Sequence, residues 1–228
     1  MEPTDKGTGI FLAKVTPPGL LRAVALTRVP YNERTARRSR REERMLFAKN
    51  FLQHPRMLGS LIPSSRFLVH RLLSKVDWPR ARTLVEYGPG VGTITSRILA
   101  RMEPQARLVV FEMNKDFVAY LTRSFPDPRL HVIHGSAETV QMQLGRLKLA
   151  GADYIISGIP YTTMPFALRE TIMRESRAAL KPGGAVLVYQ FTRAVLPHLR
   201  THFRQIEQDF EPRNILPARL FYCTRETA

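Results

Sequence analysis

Two short stretches carry the residue types and spacing that chemistry needs. The first is "VEYGPGVGT", residues 85–93, with glycines at 88, 90 and 92. Glycines in such a turn let the backbone bend sharply and lie against a ligand, because side chains there would hold the ligand off. The spacing is GxGxG rather than the GxGxxG of the dinucleotide fingerprint, and Glu86 stands two residues before the first glycine. Glu112 follows twenty residues after Gly92, at the end of the next β-forming run. A carboxylate at that point can accept hydrogen bonds from both hydroxyls of a ribose. The second stretch is "SGIPYTTMP", residues 157–165, directly after the β-forming "ADYII". An enzyme built on a parallel sheet meets its substrate at such strand ends, and here the chain offers Ser157, a bare Gly158 and Tyr161.

The elements that must position these residues are legible from residue 82 onward. "RTLVEY", "RLVVFE", "LHVIH", "ADYIIS" and "GAVLVYQ" are short β-rich runs, and helical windows separate them. Five strands alternating with helices require parallel pairing through right-handed crossovers, hence a doubly wound α/β sheet. The tail reads as one helix, "RAVLPHLRTHF", and two further strands close enough for an antiparallel hairpin, giving a seven-stranded, mostly parallel sheet. Before it, "PSSRFLVHRLLSKV" places Phe67, Leu68, Leu72, Leu73 and Val76 on one helical stripe with Ser64 or Ser65 as N-cap. This helix is expected to pack on the domain that follows, so the chain divides into a basic helical extension, 1–80, and a catalytic domain, 81–228.

Composition narrows the partners. Thirty-five Lys and Arg against nineteen Asp and Glu leave a net charge of +16 over 228 residues, which favours nucleic acid or an anionic membrane face. Residues 1–80 hold 16 basic and 6 acidic side chains, so most of the excess precedes the catalytic domain. "NERTARRSRREER", residues 32–44, carries six arginines and runs into the amphipathic "MLFAKNFLQHP", the composition of an interfacial segment. A solvated helical face, with Glu42 and Glu43 partly neutralising arginines, is the alternative. A lone cysteine, Cys223, excludes an internal disulfide and a Cys-rich metal site, and points to a reducing, cytoplasmic compartment. The first residues do not read as a secretory signal, and no apolar run is long enough for a transmembrane helix. His198 and His202 have the i, i+4 spacing of metal ligands, but no third ligand is in view, and no metal is expected.

The glycine turn and its distant carboxylate resemble the class I S-adenosylmethionine-dependent methyltransferases, whose first motif is written E/D-x-G-x-G-x-G. The resemblance implies a Rossmann-like fold and S-adenosylmethionine as cofactor, leaving S-adenosylhomocysteine as product. It implies that Glu86, Tyr87, Gly88, Gly90, Gly92 and Thr93 border the amino-acid part of the cofactor. It further implies that Glu112 binds the ribose and Met113 flanks the adenine. The family's Gly-Asp-Ala after the third strand is "GSAE" here, so Ser136, with Ala137 beside it, stands where an Asp would contact the adenine amino group, and Ser136 or Glu138 is left to substitute.

The adenine N6-methyltransferases of that class, ribosomal RNA dimethylases included, carry N/D-P-P-Y/F or N-L-P-Y where this chain has "GIPY". The Asn or Asp side chain bonds the target amine there and the aromatic ring stacks on the base. Gly158 removes that side chain, leaving Ser157 or the backbone carbonyls of 157–159 to orient an amine. Tyr161 is left to hold a cation, which suits an aliphatic amine better than a base. From about residue 45 to the end, "FLQHPRMLGSLIPSSRFLVHRL", "VEYGPGVGTIT", "SGIPYTTMP", "LKPGGAVLVYQFT" and "RNILPARLFYCTR" are similar in order and spacing to bacterial phospholipid N-methyltransferases and their ornithine-lipid relatives. On this resemblance the chain is expected to end about where the class I sheet does, without the helical domain that follows in the RNA dimethylases. This resemblance implies successive N-methylation of an amino lipid, phosphatidylethanolamine first and ornithine lipid second, with RNA adenine dimethylation as the alternative. It implies Ser157, Gly158 and Tyr161 at the reacting amine, and Ser64 and Ser65 closing over the cofactor. Arg213 and Arg219 are expected at the lipid's anionic group, and the amphipathic segment on the inner face of the cell membrane.

Overall fold

Strict alternation along the strands decides how this chain folds. In a computed structural model, which describes residues 64–227, the elements run α1 (Arg66–Leu73), β1 (Thr83–Tyr87), α2 (Thr93–Leu99), β2 (Arg107–Glu112), α3 (Lys115–Ser124), β3 (Leu130–His134) and α4 (Val140–Arg146). They continue as β4 (Ala152–Ser157), α5 (Phe166–Ala179), β5 (Leu180–Gln190), α6 (Leu196–His202), β6 (Gln205–Glu211) and β7 (Ala218–Thr224). The seven strands form one sheet in the order β3-β2-β1-β4-β5-β7-β6. The first five are parallel, and β7 inserts between β5 and β6, antiparallel to both. This is the expected α/β architecture with its C-terminal hairpin.

Both faces of the sheet are covered, as parallel sheets require. Val85, Val109, Ile155 and Val188 face α4, α5 and α6 in one core cluster. Their neighbours Leu84, Leu108, Ile156 and Leu187 face α1, α2 and α3 in the other. Helix α1 belongs to that second core through Leu68, Val69, Leu72 and Leu73. Phe67, expected on the buried stripe, lies partly buried with the Arg213 guanidinium 4.2 Å from its ring centroid. Ser65 is the N-cap, its hydroxyl accepting from Leu68 N at 3.2 Å. Several contacts tie α1 to the β6–β7 hairpin, among them Ser65 N donating to Asn214 Oδ1 at 2.8 Å, Arg71 Nε to Glu211 at 2.9 Å and Arg71 Nη1 to Asp209 at 3.0 Å. The arginine-rich segment 32–44 and the amphipathic stretch after it lie outside the described residues. Among the described residues no helix is long and apolar enough to cross a membrane.

Candidate active site

The order β2-β1-β4 reverses the chain's direction across the sheet between β1 and β4, and such a switch point leaves a crevice at the strands' carboxyl ends. A cleft of about 330 Å³ opens there. Its wall includes Tyr87 and the turn glycines Gly88 and Gly90 from the end of β1, and Glu112 with Met113 from the end of β2. Ser136 and Ala137 follow β3, and Gly158, Ile159 and Pro160 follow β4.

The three turn glycines all adopt positive φ, yet they do different work. A Cβ on Gly88 would meet Ile159 Cγ2 at 2.9 Å, and one on Gly92 would meet the Phe125 ring at 2.5 Å. Around Gly90 nothing lies within 4 Å of where a Cβ would stand. Its backbone therefore faces the open cleft, and its N–H donates to Glu112 Oε2 at 3.1 Å. The other carboxylate oxygen of Glu112 accepts from Asn114 N at 2.9 Å. Burial raises the pKa of this carboxyl, and the backbone N–H groups draw it back down. A fixed carboxylate beside bare backbone, with Phe111 and Phe117 on the wall, fits a nucleoside whose ribose offers two hydroxyls.

Other expected residues lie elsewhere. Glu86 is 2% exposed, faces the core opposite to Tyr87, and accepts from Thr95 Oγ1 at 2.6 Å; burial lifts its pKa to about 8. It forms no part of the cleft wall, nor do Gly92, Thr93, Ser64 and Ser65. Tyr161 differs most from its expectation. The 3₁₀ turn Tyr161–Thr163 directs the ring inward, where it is 1% exposed in the cluster of Ile155 and Val188. Ser157, fully buried, donates to its hydroxyl at 3.0 Å, so neither residue faces the cleft. Arg213 pairs with Glu211 at 3.1 Å, and Arg219 lies over the Phe210 ring at 5.2 Å; neither lines the cleft. His198 and His202 both approach Glu170 on α5, at 3.3 and 3.0 Å, and so dock α6 onto that helix.

A residue that the motif spacing did not point to, Tyr189, stands against Gly158. Ser157 pairs with Val188 in the parallel register of β4 and β5, which sets Tyr189 beside Gly158. A Cβ on Gly158 would fall on the Tyr189 hydroxyl, with Cζ 2.5 Å away. The Tyr189 oxygen accepts from Ser64 Oγ at 3.3 Å. The Ile159 carbonyl, one of the groups expected to orient an amine, already accepts from Gln190 Nε2 at 2.8 Å and Tyr161 N at 2.9 Å. The motif spacing contains no signal for Tyr189, because only the pairing of two distant strands brings it to Gly158.

Comparison with known proteins bears on the family and the fold. The family described as "Ribosomal RNA adenine dimethylase" matches residues 47–192. An ornithine lipid N-methyltransferase of Singulisphaera acidiphila is 30% identical over 180 residues, covering 78% of this chain and 94% of that protein. Ribosomal RNA small subunit methyltransferase A of Laribacter hongkongensis is 31% identical over 123 residues, covering 54% of this chain and only 41% of that protein. Among solved structures, the N-methyltransferase NodS from Bradyrhizobium japonicum aligns with a TM-score of 0.53 at 14% identity, covering 69% of this chain and 92% of that one. TrmN from Thermus thermophilus aligns at 0.55 with 18% identity, covering 69% and 48%. At such identities the solved structures speak for the fold alone. The family match runs unbroken from before the glycine turn, through Glu112, to beyond Gly158 and Tyr189. The chain therefore belongs to the ribosomal RNA adenine dimethylase family and is a class I methyltransferase that uses S-adenosylmethionine.

Proposed function

We propose that this methyltransferase N-methylates the amino headgroup of a membrane lipid, with ornithine lipid the first headgroup to test and phosphatidylethanolamine the second. The observation that carries the reading is Gly158. In the adenine-methylating pattern, a side chain at this position bonds the base amine and the aromatic three residues on stacks on the base. Here a Cβ has no room beside Tyr189, and the ring of Tyr161 is buried in the core. The relative named for ornithine lipid, which aligns over nearly its whole length, supports the same reading.

S-adenosylmethionine, held by Glu112 and the Gly90 backbone, would supply an electrophilic methyl group to the acceptor nitrogen, which would lose a proton to water. The protein's part is to fix the geometry. Glu112 and the Gly90 backbone hold the nucleoside, and the apolar wall of Ile159, Met164 and Leu168 keeps water from the acceptor. A dry wall also favours the neutral amine over the ammonium. Aligning two bound reactants then supplies most of the rate. Each methyl added leaves a nitrogen that still fits the site, which suits successive transfers. Exposed Ile215 and Leu216, between β6 and β7, and the arginines of 32–44 suit peripheral attachment to the inner face of the cell membrane.

The test is to incubate the purified protein with radiolabelled S-adenosylmethionine and, separately, anionic vesicles containing ornithine lipid, vesicles containing phosphatidylethanolamine, and total RNA. Label is expected in a lipid, and the labelled species names the headgroup. Label in RNA alone would replace this reading with adenine methylation, which the +16 charge and the family's description also accommodate.

A further inference from the structure

We infer that the hydroxyl of Tyr189 binds the acceptor amine, standing in for the amide side chain that Gly158 lacks. The inference rests on the amine-acceptor reading above and names the group that recognises the amine. Gly158 directly follows Ser157, the last residue of β4, and Tyr189 directly follows its partner Val188 on the parallel strand β5, which sets the two side by side. The tyrosine is long enough to lean across the glycine, and its oxygen reaches the point from which a side chain at 158 would grow. Gly158 is part of the cleft wall and Tyr189 is not, but the tyrosine hydroxyl occupies the place of a Gly158 side chain, so only the bare glycine backbone stands between it and the space where an acceptor meets the cofactor.

Beside the Ser157 hydroxyl and the Ile159 carbonyl, this oxygen has hydrogen-bonding capacity to spare. Ser157 is committed to Tyr161, and the Ile159 carbonyl already accepts two hydrogen bonds. Tyr189 accepts one hydrogen bond, from Ser64, which leaves a second lone pair on the phenol oxygen. An amine N–H donating to that lone pair keeps its nitrogen lone pair free for the methyl carbon. Burial, reinforced by the charge of Glu86, raises the Tyr189 pKa, so the hydroxyl stays neutral and acts as a hydrogen-bonding group rather than as a base. The pairing also explains the glycine, since any larger residue at 158 would displace the tyrosine.

Tyr189→Phe removes the oxygen and keeps the ring. Its kcat and KM are to be measured on whichever substrate the wild type labels, together with its affinity for S-adenosylhomocysteine by calorimetry. The expected result is a fall in kcat of roughly 10- to 100-fold, the scale of one hydrogen bond lost at the transition state, with product affinity within about twofold of wild type. Ser64→Ala, which only loosens the hydroxyl, should give a smaller fall of the same kind. An unchanged kcat in Tyr189→Phe would overturn the inference. So would a kcat loss matched by an equal loss of S-adenosylhomocysteine affinity, because the ring would then merely shape the cofactor cleft. If the wild type labels RNA and not lipid, the lipid reading falls, and the same comparison on RNA still decides the role of the hydroxyl. A wild type that labels neither overturns both.

Discussion

Glu112 and Glu86 are both buried carboxyls raised above their ordinary range by desolvation, but their surroundings assign them different tasks. Glu112 borders the cleft and has its oxygens aligned by two backbone N–H groups, so its remaining lone pairs are aimed and unstrained. Glu112→Ala is expected to weaken S-adenosylmethionine binding by about 2 kcal/mol, the value of hydrogen bonds to a charged group, as titration calorimetry would register. Unchanged affinity would remove Glu112 from the ribose. Glu86 instead is sealed in the core with Thr95. Its folded pKa of about 8 exceeds the ordinary 4.5, so the folded state holds the proton more tightly over that interval. Stability is then fully present below about pH 4.5 and is lost as pH rises through about 8. Glu86→Gln should flatten the decline in thermal midpoint that the wild type shows between about pH 5 and about pH 9, with differential scanning calorimetry as the measurement. The place of Glu112 on the cleft wall was legible from spacing alone, because it ends the strand that follows the glycine turn. Tyr161 was not, because a Pro-Tyr pair looks alike in sequence whether its ring faces a cleft or a core.

At the scale of the elements, the β1–α2 turn separates binding from packing. A methyl group on Gly90 would enter the cleft, whereas one on Gly92 would strike Phe125, and both would strain a left-handed backbone. Gly90→Ala should therefore cost roughly tenfold or more in cofactor affinity, with only the 1–2 kcal/mol of strain, approximately, as a stability loss. Gly92→Ala adds overpacking of about 1–3 kcal/mol to that strain. Thermal unfolding and calorimetry on the two variants would show opposite rankings; equal rankings would mean that both glycines serve the turn alone. The β/α alternation was readable throughout, because short, nearly continuous β-rich runs alternate with helical windows. The start of β5 was not. Its pairing with β4 begins at Leu180, loops out around Pro182 and Gly183, and resumes at Ala185. A Pro-Gly pair reads locally as a turn, and only the neighbouring strand shows that the ladder continues beyond it.

Across the whole molecule the decisive asymmetry is charge. The first 80 residues carry a net +10 of the chain's +16, and the arginines at 37, 38, 40 and 41 concentrate it beside an amphipathic stretch. Were that charge meant for RNA, neutralising it would weaken capture of the acceptor in any form. If it serves an anionic bilayer, the effect is confined to surfaces and depends on their composition. A basic side chain close to such a surface contributes about 1 kcal/mol, a contribution that fades over the Debye length as salt rises. Replacing Arg37, Arg38, Arg40 and Arg41 by Gln should therefore lower partitioning onto anionic vesicles by roughly tenfold or more at low ionic strength. Neutral vesicles should show little difference between variant and wild type, and affinity for S-adenosylhomocysteine should not change, since the groups assigned to the nucleoside, Glu112 and the Gly90 backbone, are untouched. Co-sedimentation with vesicles at two salt concentrations measures the first effect and calorimetry the second. Equal partitioning of variant and wild type at low salt would count against a membrane role for the arginines and return them to a solvated, charge-balanced segment.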